Sequence, residues 1–201
     1  MTRRIILIGG MPTVGKSTIA KKLSEHFSLP WMSTDQIREI MKAAIDPRSD
    51  TPLNGSVDIP AAEYFAQHAP EKIAEMEYEQ GIAVWPGIHF MINNDWTWKD
   101  GFILEGVNIL PKLVAHEQTT RDTIQALFLS DRNIERTREV VYTRGLYGKA
   151  DSYPDDIKEK EVEWVHIFDE MIRREAEETQ QTIVDIEKND TDFTRILSLL
   201  K

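Results

Sequence analysis

The sequence predicts an α/β protein, a three-layer αβα sandwich in which helices cover both faces of a five-stranded parallel sheet. Short apolar runs alternate with segments of helical periodicity along most of the chain, which is typical of βαβ units and so of a parallel sheet. The first apolar run also leads directly into "GGMPTVGKST" (9–18), a glycine-rich loop that opens a helix. Both observations indicate the same architecture.

The first two pairs of strand and helix follow the N-terminus. "RRIILIGG" (3–10) predicts a strand buried on both faces, since it is a short apolar run that ends in glycine. "KSTIAKKLSEHF" (16–27) predicts the next helix, because its apolar residues recur at helical spacing. "LPWMST" (29–34) predicts a second strand, and "TDQIREIMKAAI" (34–45) predicts a second helix that Ser, Thr or Asp can cap.

Three further apolar runs complete the predicted sheet: "GFILEG" (101–106), "QALFLS" (125–130) and "TIVDI" (182–186). The alternation is interrupted between about residues 46 and 100, where a loop rich in Pro, Ser, Asn and Gly leads into the helical pattern "PEKIAEMEYEQGIAVW" (70–85). We interpret this interval as a helical insert on the substrate side of the site. Residues 1–201 then form a single domain with this insert and a lid at about 132–153.

The acidic segment "DDIKEKEVEWVHIFDEMIRREAEE" (155–178) predicts an amphipathic helix. Val165, Phe168 and Ile172 share one face of that helix. We interpret its many charges as a solvated surface.

Length, charge and composition exclude several classes of protein. The 201 residues suit one domain with a full hydrophobic core. A net charge of −10, from 24 basic and 34 acidic residues, argues against a nucleic-acid partner, because such a surface repels phosphate backbones. The absence of cysteine excludes disulfides and zinc-thiolate sites. No apolar run approaches the roughly 20 residues that cross a bilayer, so we expect no membrane partner and a cytoplasmic location.

Residues 10–17 fit the Walker A phosphate-binding pattern, a glycine, four residues, and then Gly15, Lys16 and Ser17. In such a loop the main-chain N–H groups and a helix N-terminus converge on the phosphates. The lysine reaches the β and γ oxygens, which makes Lys16 a candidate catalytic residue, and the hydroxyl of Ser17 ligates Mg²⁺. The predicted nucleotide-binding residues are Gly10, Met11, Pro12, Thr13, Val14, Gly15, Lys16, Ser17 and Thr18.

Two carboxylates and one arginine are candidates for the acceptor side of the site. Asp35 follows the second predicted strand, and it either deprotonates an acceptor hydroxyl or caps the second helix. Arg38, one turn later, either faces an anionic acceptor or pairs with a neighbouring carboxylate. Glu105 ends the third predicted strand, where an unpaired carboxylate has no structural use, so we expect it to ligate Mg²⁺ or orient the acceptor.

A group of arginines follows the fourth predicted strand, in "DRNIERTREVVYTRGLYGK" (131–149). Arginines stabilise the charge on a transferring phosphoryl group, and the glycines at 145 and 148 would let this segment close as a lid. Arg132 and Arg136 lie one helical turn apart and could bind one ligand together. We predict that Arg136 binds the nucleotide and that Arg138 binds the acceptor. Arg144 is the candidate catalytic residue, a mobile arginine beside the lid glycines.

The order of these parts resembles the nucleoside and small-molecule kinases of the P-loop class. Within that class, "ILIGG" (6–10) with "VGKSTIA" (14–20), "STDQIRE" (33–39) and "LEGVNILP" (104–111) are most similar to proteins called 2-phosphoglycerate kinases and to uncharacterised P-loop ATPases. The chain departs from that pattern at Asn108, where the phosphoglycerate enzymes are expected to have histidine, and at Pro12 and Thr13 inside the loop.

This resemblance implies the strand order 2-3-1-4-5, a lid after the fourth strand, and ATP with Mg²⁺. It also implies that Asp35 and Arg38 face the acceptor and that "EKND" (187–190) lies near the adenine. The activity it implies is transfer of the γ-phosphoryl group of ATP to a hydroxyl of a small, anionic, 2-phosphoglycerate-like metabolite.

Two other functions stay open at the level of the sequence. One is a kinase for a nucleotide sugar, an antibiotic or a polynucleotide end, and the acidic surface argues against the last of these. The other is a nucleotide-dependent switch or slow ATPase, which would need no carboxylate beside a bound hydroxyl. A homodimer is one assembly compatible with the sequence.

Overall fold

The computed structural model describes residues 3–46, 48–49, 51–54, 59–121, 123–146, 149–189 and 191–200. Within this part of the chain one parallel sheet has the strand order β2-β3-β1-β4-β5. Its strands are β1 (Arg4–Gly10), β2 (Trp31–Ser33), β3 (Gly101–Glu105), β4 (Ile124–Ser130) and β5 (Thr182–Asp185). The predicted fold class and strand order are confirmed.

The helices that accompany these strands are α1 (Lys16–Phe27), α2 (Thr34–Ala43), α3 (Ala61–Gln67), α4 (Pro70–Asn93), α5 (Pro111–Gln118), α6 (Ile134–Thr143), α7 (Asp155–Glu178) and α8 (Thr191–Leu199). The connection from β1 to β2 runs one way across the sheet, and the connection from β3 to β4 runs the other way. Since such crossovers are right-handed, α1 and α5 cover opposite faces. Two short 3-10 helices occupy Pro52–Asn54 and Ala150–Ser152.

The sheet is central because its middle strand is apolar on both faces. Ile5, Ile6, Leu7 and Ile8 of β1 are all fully buried. The register places Ile8 of β1 beside Glu105 of β3 and Ser33 of β2 on the other side of Glu105. The carboxyl ends of these three strands therefore lie next to one another, and so do the segments that follow them.

The interval between β2 and β3 contains the predicted helical pattern, but α4 extends eight residues further than the pattern "PEKIAEMEYEQGIAVW" indicates, to Asn93. Pro86 lies inside α4 and cannot donate the hydrogen bond of a helical residue. The helix continues because Ile88 and Ile92, beyond the proline, are fully buried. Gly81 and Gly87 allow close packing of α4 on Leu110 and on α2.

Helix α7 is amphipathic as predicted, but the interpretation of its charges as a solvated surface is wrong in part. Glu161, Asp169 and Glu175 are buried, with exposed fractions of 0%, 2% and 5%. Asp169 lies four residues after Val165 and three before Ile172, so it belongs to the apolar stripe. That spacing was a signal for a buried carboxylate.

The segment predicted as a lid consists of α6, the 3-10 helix at 150–152 and the chain between them. Residues 147 and 148, including one of the two predicted lid glycines, lie outside the described residues, as does residue 190 at the end of "EKND". Within the described part of the chain, no helix combines the length and the apolar character needed to span a membrane.

Candidate functional site

The loop between β1 and α1 exposes the start of a helix. Gly15 is the N-cap of α1 and has φ +98°, in the left-handed region where other residues are strained. No described side chain caps α1, and its first turn contains no acidic residue. The first N–H groups of α1 are therefore available to an anion, which the helix dipole also favours.

Inside this loop the apolar side chains turn towards the core. Met11 and Val14 are buried, so only their main chain can contact a ligand. Pro12 and Thr13 are half-buried, and Thr13 has φ +67°, a strained conformation for a β-branched residue. Thr18 is exposed on the first turn of α1. The structure thus assembles the loop, with its main chain as the ligand-facing part.

Lys16 is a buried cation with neutral hydrogen-bond partners. Its side chain is 8% exposed, and Nζ donates to the carbonyl oxygens of Gly10 (3.1 Å) and Met11 (2.6 Å). Burial lowers the pKa of Lys16 to about 8, although nearby carboxylates, Glu105 and Asp35 among them, act in the opposite direction. A buried ammonium held by carbonyl oxygens would gain from a bound anion.

Ser17 and Glu105 are in direct contact although they are 88 residues apart in the chain. The Ser17 hydroxyl donates a hydrogen bond of 3.0 Å to Oε1 of Glu105, which is 3% exposed. Burial raises the pKa of Glu105, while the charge of Lys16 and the hydrogen bond from Ser17 oppose that rise. The structure therefore brings together the two side chains that the sequence predicts as metal ligands.

Asp35 does not cap α2, so that interpretation is wrong. The N-cap is Ser33, whose hydroxyl accepts from the N–H of Asp35 (3.3 Å), while Gln36 Oε1 accepts from the N–H of Ser33 (3.3 Å). The carboxylate of Asp35 is 59% exposed, and its charge acts on Lys16 and Glu105. It is thus available beside the phosphate-binding loop.

A hydrogen bond that sequence reasoning missed fixes the first turn of α2 against the segment after β3. The Thr34 hydroxyl donates to Oδ1 of Asn108 at 3.0 Å, and both side chains are fully buried. Gly106 allows this contact, because a Cβ atom there would lie 1.8 Å from Oγ1 of Thr34. The contact holds α2, and with it Asp35, in place relative to Glu105.

Replacement of Thr34 by valine is expected to lower the free energy of unfolding by about 1–3 kcal/mol, because Oδ1 of Asn108 would lose its donor in a buried place. Nδ2 of Asn108 already has no hydrogen-bond partner among the described residues. Urea denaturation measures the change. Thr119→Val is the control, since that hydroxyl is exposed and donates only to a carbonyl one turn earlier, and its effect should stay below about 0.5 kcal/mol. Equal effects would contradict the role of Thr34.

Arg38 connects α2 to the insert. Its Nη1 donates to Oε1 of Gln80 on α4 (2.9 Å) and lies 3.7 Å from Oδ1 of Asp35, and its Nε donates to Glu39 (3.1 Å). The predicted pairing of Arg38 with neighbouring carboxylates is therefore present, while its contact with an anionic acceptor stays a prediction.

Arg136, on α6, contacts the segments that directly follow β4 and β5. It forms a two-pronged contact with Asp131 and donates to the carbonyl oxygen of Ile186 (2.9 Å). Arg132 is mostly exposed, with its Nε 3.6 Å from Asp185. An open cleft of about 580 Å³ is lined by Arg132, Arg136, Asp185 and Ile186, among others. The main chain of Asp131 also touches the sulfur of Met11 (3.3 Å), so this cleft adjoins the phosphate-binding loop.

The structure does not bring Arg138 to the other predicted site residues. Its guanidinium pairs with Glu159 of α7 (3.0 Å) and with Glu135, which raises its pKa. Arg144 is exposed just after α6 and has no ion pair with any described residue; it lines a separate cleft at the end of α6. Glu135 lies at a regular helical spacing from Arg138, whereas Asp131 and Glu159 lie at spacings from their arginines that the sequence does not single out.

Sequence reasoning also missed a cluster at the end of β4, in which the buried Ser130 and Asp169 contact the half-buried Arg173. The Ser130 hydroxyl donates to Oδ2 of Asp169 (2.7 Å) and accepts from Nη1 of Arg173 (2.8 Å). Burial raises the pKa of Asp169 to about 6. Asp169 is also one of the carboxylates whose charge acts on Lys16.

The donor set at Ser17 and Glu105 fits a magnesium ion held jointly with phosphates. Mg²⁺ prefers oxygen ligands and is usually bound by one or two carboxylates together with substrate phosphates. A hydroxyl and a carboxylate 3.0 Å apart are ligands of this kind. In the described ranges no group of three or more His, Asp or Glu side chains is placed to hold a metal ion.

Comparison with known proteins agrees with this geometry, although no known family model matches the sequence. The 2-phosphoglycerate kinase of Pyrococcus horikoshii is 28% identical over 190 residues, 93% of this chain and 61% of the relative. The enzyme of the same name from Methanococcus vannielii is 30% identical over 68% of this chain and 46% of the relative. The chain thus spans less than two thirds of the length of these relatives.

Solved structures share the architecture over almost the whole chain. A gluconokinase from Sinorhizobium meliloti has a TM-score of 0.51 at 11% identity, covering 98% of this chain and 89% of its own. A shikimate kinase from Bacteroides thetaiotaomicron has a TM-score of 0.51 at 14% identity, covering 100% and 99%. The chain shares the αβα fold of these two kinases. The predicted resemblance to P-loop small-molecule kinases, near 2-phosphoglycerate kinases, is confirmed.

Within this fold, the described contacts divide the predicted site residues into groups. The first group lies at the carboxyl ends of β1, β2 and β3 and consists of Lys16, Ser17, Asp35 and Glu105. Arg38 adjoins them on the insert side, and Arg136 lies on the β4 and β5 side.

Proposed function

We propose that this P-loop protein is an ATP-dependent phosphotransferase that moves the γ-phosphoryl group to a hydroxyl of a small, anionic metabolite of the 2-phosphoglycerate type. One observation carries the proposal. The buried ammonium of Lys16 and the uncapped start of α1 lie beside the Ser17 and Glu105 pair and the exposed carboxylate of Asp35. Phosphate-binding groups and a candidate base thus adjoin each other, which transfer to a hydroxyl requires.

On the donor side, the phosphates of ATP would bind the N–H groups of residues 11–18 and the Lys16 ammonium. Bound Mg²⁺ would be held by Ser17 and Glu105, and it would neutralise charge on the phosphates. The adenine ring of ATP would lie in the cleft lined by Arg136 and Ile186. That cleft adjoins the phosphate-binding loop through Met11 and Asp131.

On the acceptor side, the acceptor oxygen forms a bond to the γ phosphorus while the bond from that phosphorus to the bridging oxygen of ADP breaks. The hydroxyl proton passes to a carboxylate. Asp35 is favoured as that base over Glu105, because Glu105 already accepts a hydrogen bond from Ser17 and would ligate the metal. Arg38 would bind the anionic group of the acceptor, while Arg144 would approach the phosphates when the lid closes.

The 2-phosphoglycerate kinase relatives support a kinase rather than a switch. Incubation of the purified chain with Mg²⁺ and γ-labelled ATP tests this, with hydroxylated acceptors added one at a time. Label that appears in an acceptor ester supports the proposal. Label found only in inorganic phosphate, at a rate that no acceptor changes, would favour a slow ATPase or switch.

The affinity for Mg·ATP is expected to fall as the pH rises through about 8. The charged form of Lys16 binds phosphate, and burial lowers its pKa to about 8 in the free protein. Above that pH each binding event must take up a proton, so Kd should rise by up to about tenfold per pH unit. Since the folded pKa lies below the unfolded value of 10.5, the free protein should instead gain stability between about pH 8 and 10.5.

Calorimetric titration at several pH values measures this dependence. Lys16→Arg is the matched control, because a guanidinium keeps its charge throughout the range and its Kd should not follow the same curve. A wild-type Kd that is constant from about pH 7 to 9.5 would contradict the pKa assigned to Lys16.

A further inference from the structure

Gln80 of α4 is a buried amide whose two polar atoms both have partners. The residue is 4% exposed. Its Oε1 accepts a hydrogen bond of 2.9 Å from Nη1 of Arg38, and its Nε2 donates to the carbonyl oxygen of Pro52 at 3.3 Å. Because a carbonyl oxygen can only accept, the bond to Pro52 fixes which end of the amide is turned towards Arg38. The insert therefore contacts α2 through one oriented hydrogen-bond acceptor.

The guanidinium of Arg38 is held through two of its three nitrogens. Nε donates to Glu39 (3.1 Å) and Nη1 donates to Gln80, whereas Nη2 has no hydrogen-bond partner among the described residues. Since the guanidinium is planar and rigid, two fixed nitrogens also fix the position of Nη2. The contacts of Arg38 with the protein thus leave one nitrogen, in a defined place, that can donate to an anion.

Gln80 holds Arg38 without neutralising its charge, because an amide oxygen carries no net charge. Two carboxylates already lie near the guanidinium, Asp35 at 3.7 Å and Glu39 at 3.1 Å, and Glu39 is shared with Lys42 at 3.9 Å. A third carboxylate, at position 80, could accept from the same nitrogen but would oppose the attraction of an anion to Arg38. The neutral partner leaves Arg38 able to bind a negative group.

The same hydrogen bond keeps Arg38 apart from the candidate base. Nη1 lies 3.7 Å from Oδ1 of Asp35, which is too far for a hydrogen bond, while its bond to Gln80 is 2.9 Å long. Without the amide, Nη1 would lose its partner in a half-buried place, and a small movement would bring it into contact with Asp35. A closed ion pair would then occupy the carboxylate that accepts the hydroxyl proton.

We propose that Gln80 is a positioning residue for phosphoryl transfer, which holds Arg38 so that Nη2 binds the anionic group of the acceptor while Nη1 stays apart from Asp35. This rests on the proposed function and deepens it. It gives the insert a part in the acceptor side of the site that is exerted through Arg38, without direct contact between Gln80 and the reacting atoms.

Two substitutions of Gln80 separate these effects, assayed with the full chain, Mg²⁺ and ATP on 2-phosphoglycerate, glycerate, gluconate and the neutral glucose. Gln80→Glu keeps an acceptor for Nη1 but adds a charge, so KM for the anion that the wild type uses best should rise by about tenfold while kcat stays within about threefold. Gln80→Met removes the acceptor, so KM should rise similarly and kcat should also fall by about threefold to tenfold. The Kd for Mg·ATP should change by less than about threefold in both variants.

A double-mutant cycle tests whether Gln80 acts through Arg38. In an Arg38→Ala background, Gln80→Met should change KM and kcat by less than about twofold, because the group that it positions is absent. Tyr78→Phe is the control on the same helix. It removes a hydrogen bond from α4 to Glu175 of α7, so it should lower the melting temperature but leave both kinetic constants unchanged.

The kinase assignment stands and this inference is wrong if the wild type phosphorylates one of the three anions and both Gln80 variants retain its KM. The inference is also wrong if Gln80→Met has the same effect with and without Arg38. A wild type that phosphorylates glucose but none of the three anions would overturn it as well, since Arg38 would have no anionic group to bind. If the wild type transfers label to no acceptor, the proposed function fails and this inference fails with it.

Discussion

Replacement of Lys16 by alanine is expected to lower kcat/KM for phosphoryl transfer by a factor on the order of 10²–10³, the range seen when one charge-stabilising donor is removed from a reaction centre. The Lys16 ammonium is buried, and its hydrogen bonds go to two carbonyl oxygens that a phosphate can replace as partners. The variant should also bind Mg·ATP more weakly. Initial rates of ADP release and calorimetric titration measure the two effects.

The loss of activity in Lys16→Ala should not be accompanied by a loss of thermal stability. Burial lowers the pKa of Lys16, so the charged form of the side chain destabilises the folded state at neutral pH. Lys16→Ala is therefore expected to unfold at the same temperature as the wild type or at a higher one in the absence of nucleotide. Lys21→Ala, an exposed lysine on the same helix, is the control and should retain activity. Activity that is unchanged by Lys16→Ala would contradict the phosphate site.

Replacement of Asp35 by asparagine is expected to lower kcat for transfer by about 10²–10⁴, the usual contribution of a general base. The exposed carboxylate lies beside Lys16 and Glu105 and is not used as a helix cap, which Ser33 provides. Well below pH 8, where Lys16 keeps its charge, the Kd for Mg·ATP should change by less than about threefold, because Asp35 would not contact the phosphates. The comparison of kcat with Kd separates the base from a structural residue.

Two variants complete this test. Glu39→Gln, one turn further along α2, removes a carboxylate that contacts Arg38 and Lys42 and should lower kcat far less. Glu105→Gln should instead raise the Mg²⁺ concentration needed for activity. If Asp35→Asn transferred phosphoryl groups at the wild-type rate while Glu105→Gln lost transfer with its Mg²⁺ requirement unchanged, Glu105 would be the base.

The sequence predicted much of the phosphate-binding half of the site. Gly15 and Lys16 could be placed because the loop, the strand before it and the helix after it are contiguous. Glu105 and Asp35 could be placed near them by one general rule, that the ends of parallel strands meet at one edge of a sheet. The contact between Glu105 and Ser17 follows from that rule and from the register of β3 beside β1.

The contacts on the acceptor side of the site could be predicted less completely from the sequence. The contact of Thr34 with Asn108 joins two segments that carry no recognisable pattern. The partners of Arg138 lie on two different helices, so a cluster of arginines in sequence is not a cluster at the site. Asp169 could have been recognised from its place in the apolar stripe of α7, but its proximity to Lys16 could not.

By itself, the sequence determined the alternation of strands and helices, the phosphate-binding loop and the positions where glycine is required, because periodicity and backbone conformation act over a few residues. Only the tertiary structure decided which charges are paired, which carboxylates are buried, and that Arg38 of α2 contacts Gln80 of α4. Those features depend on contacts between segments tens of residues apart, and the free energy of a charge depends on what the whole fold places around it.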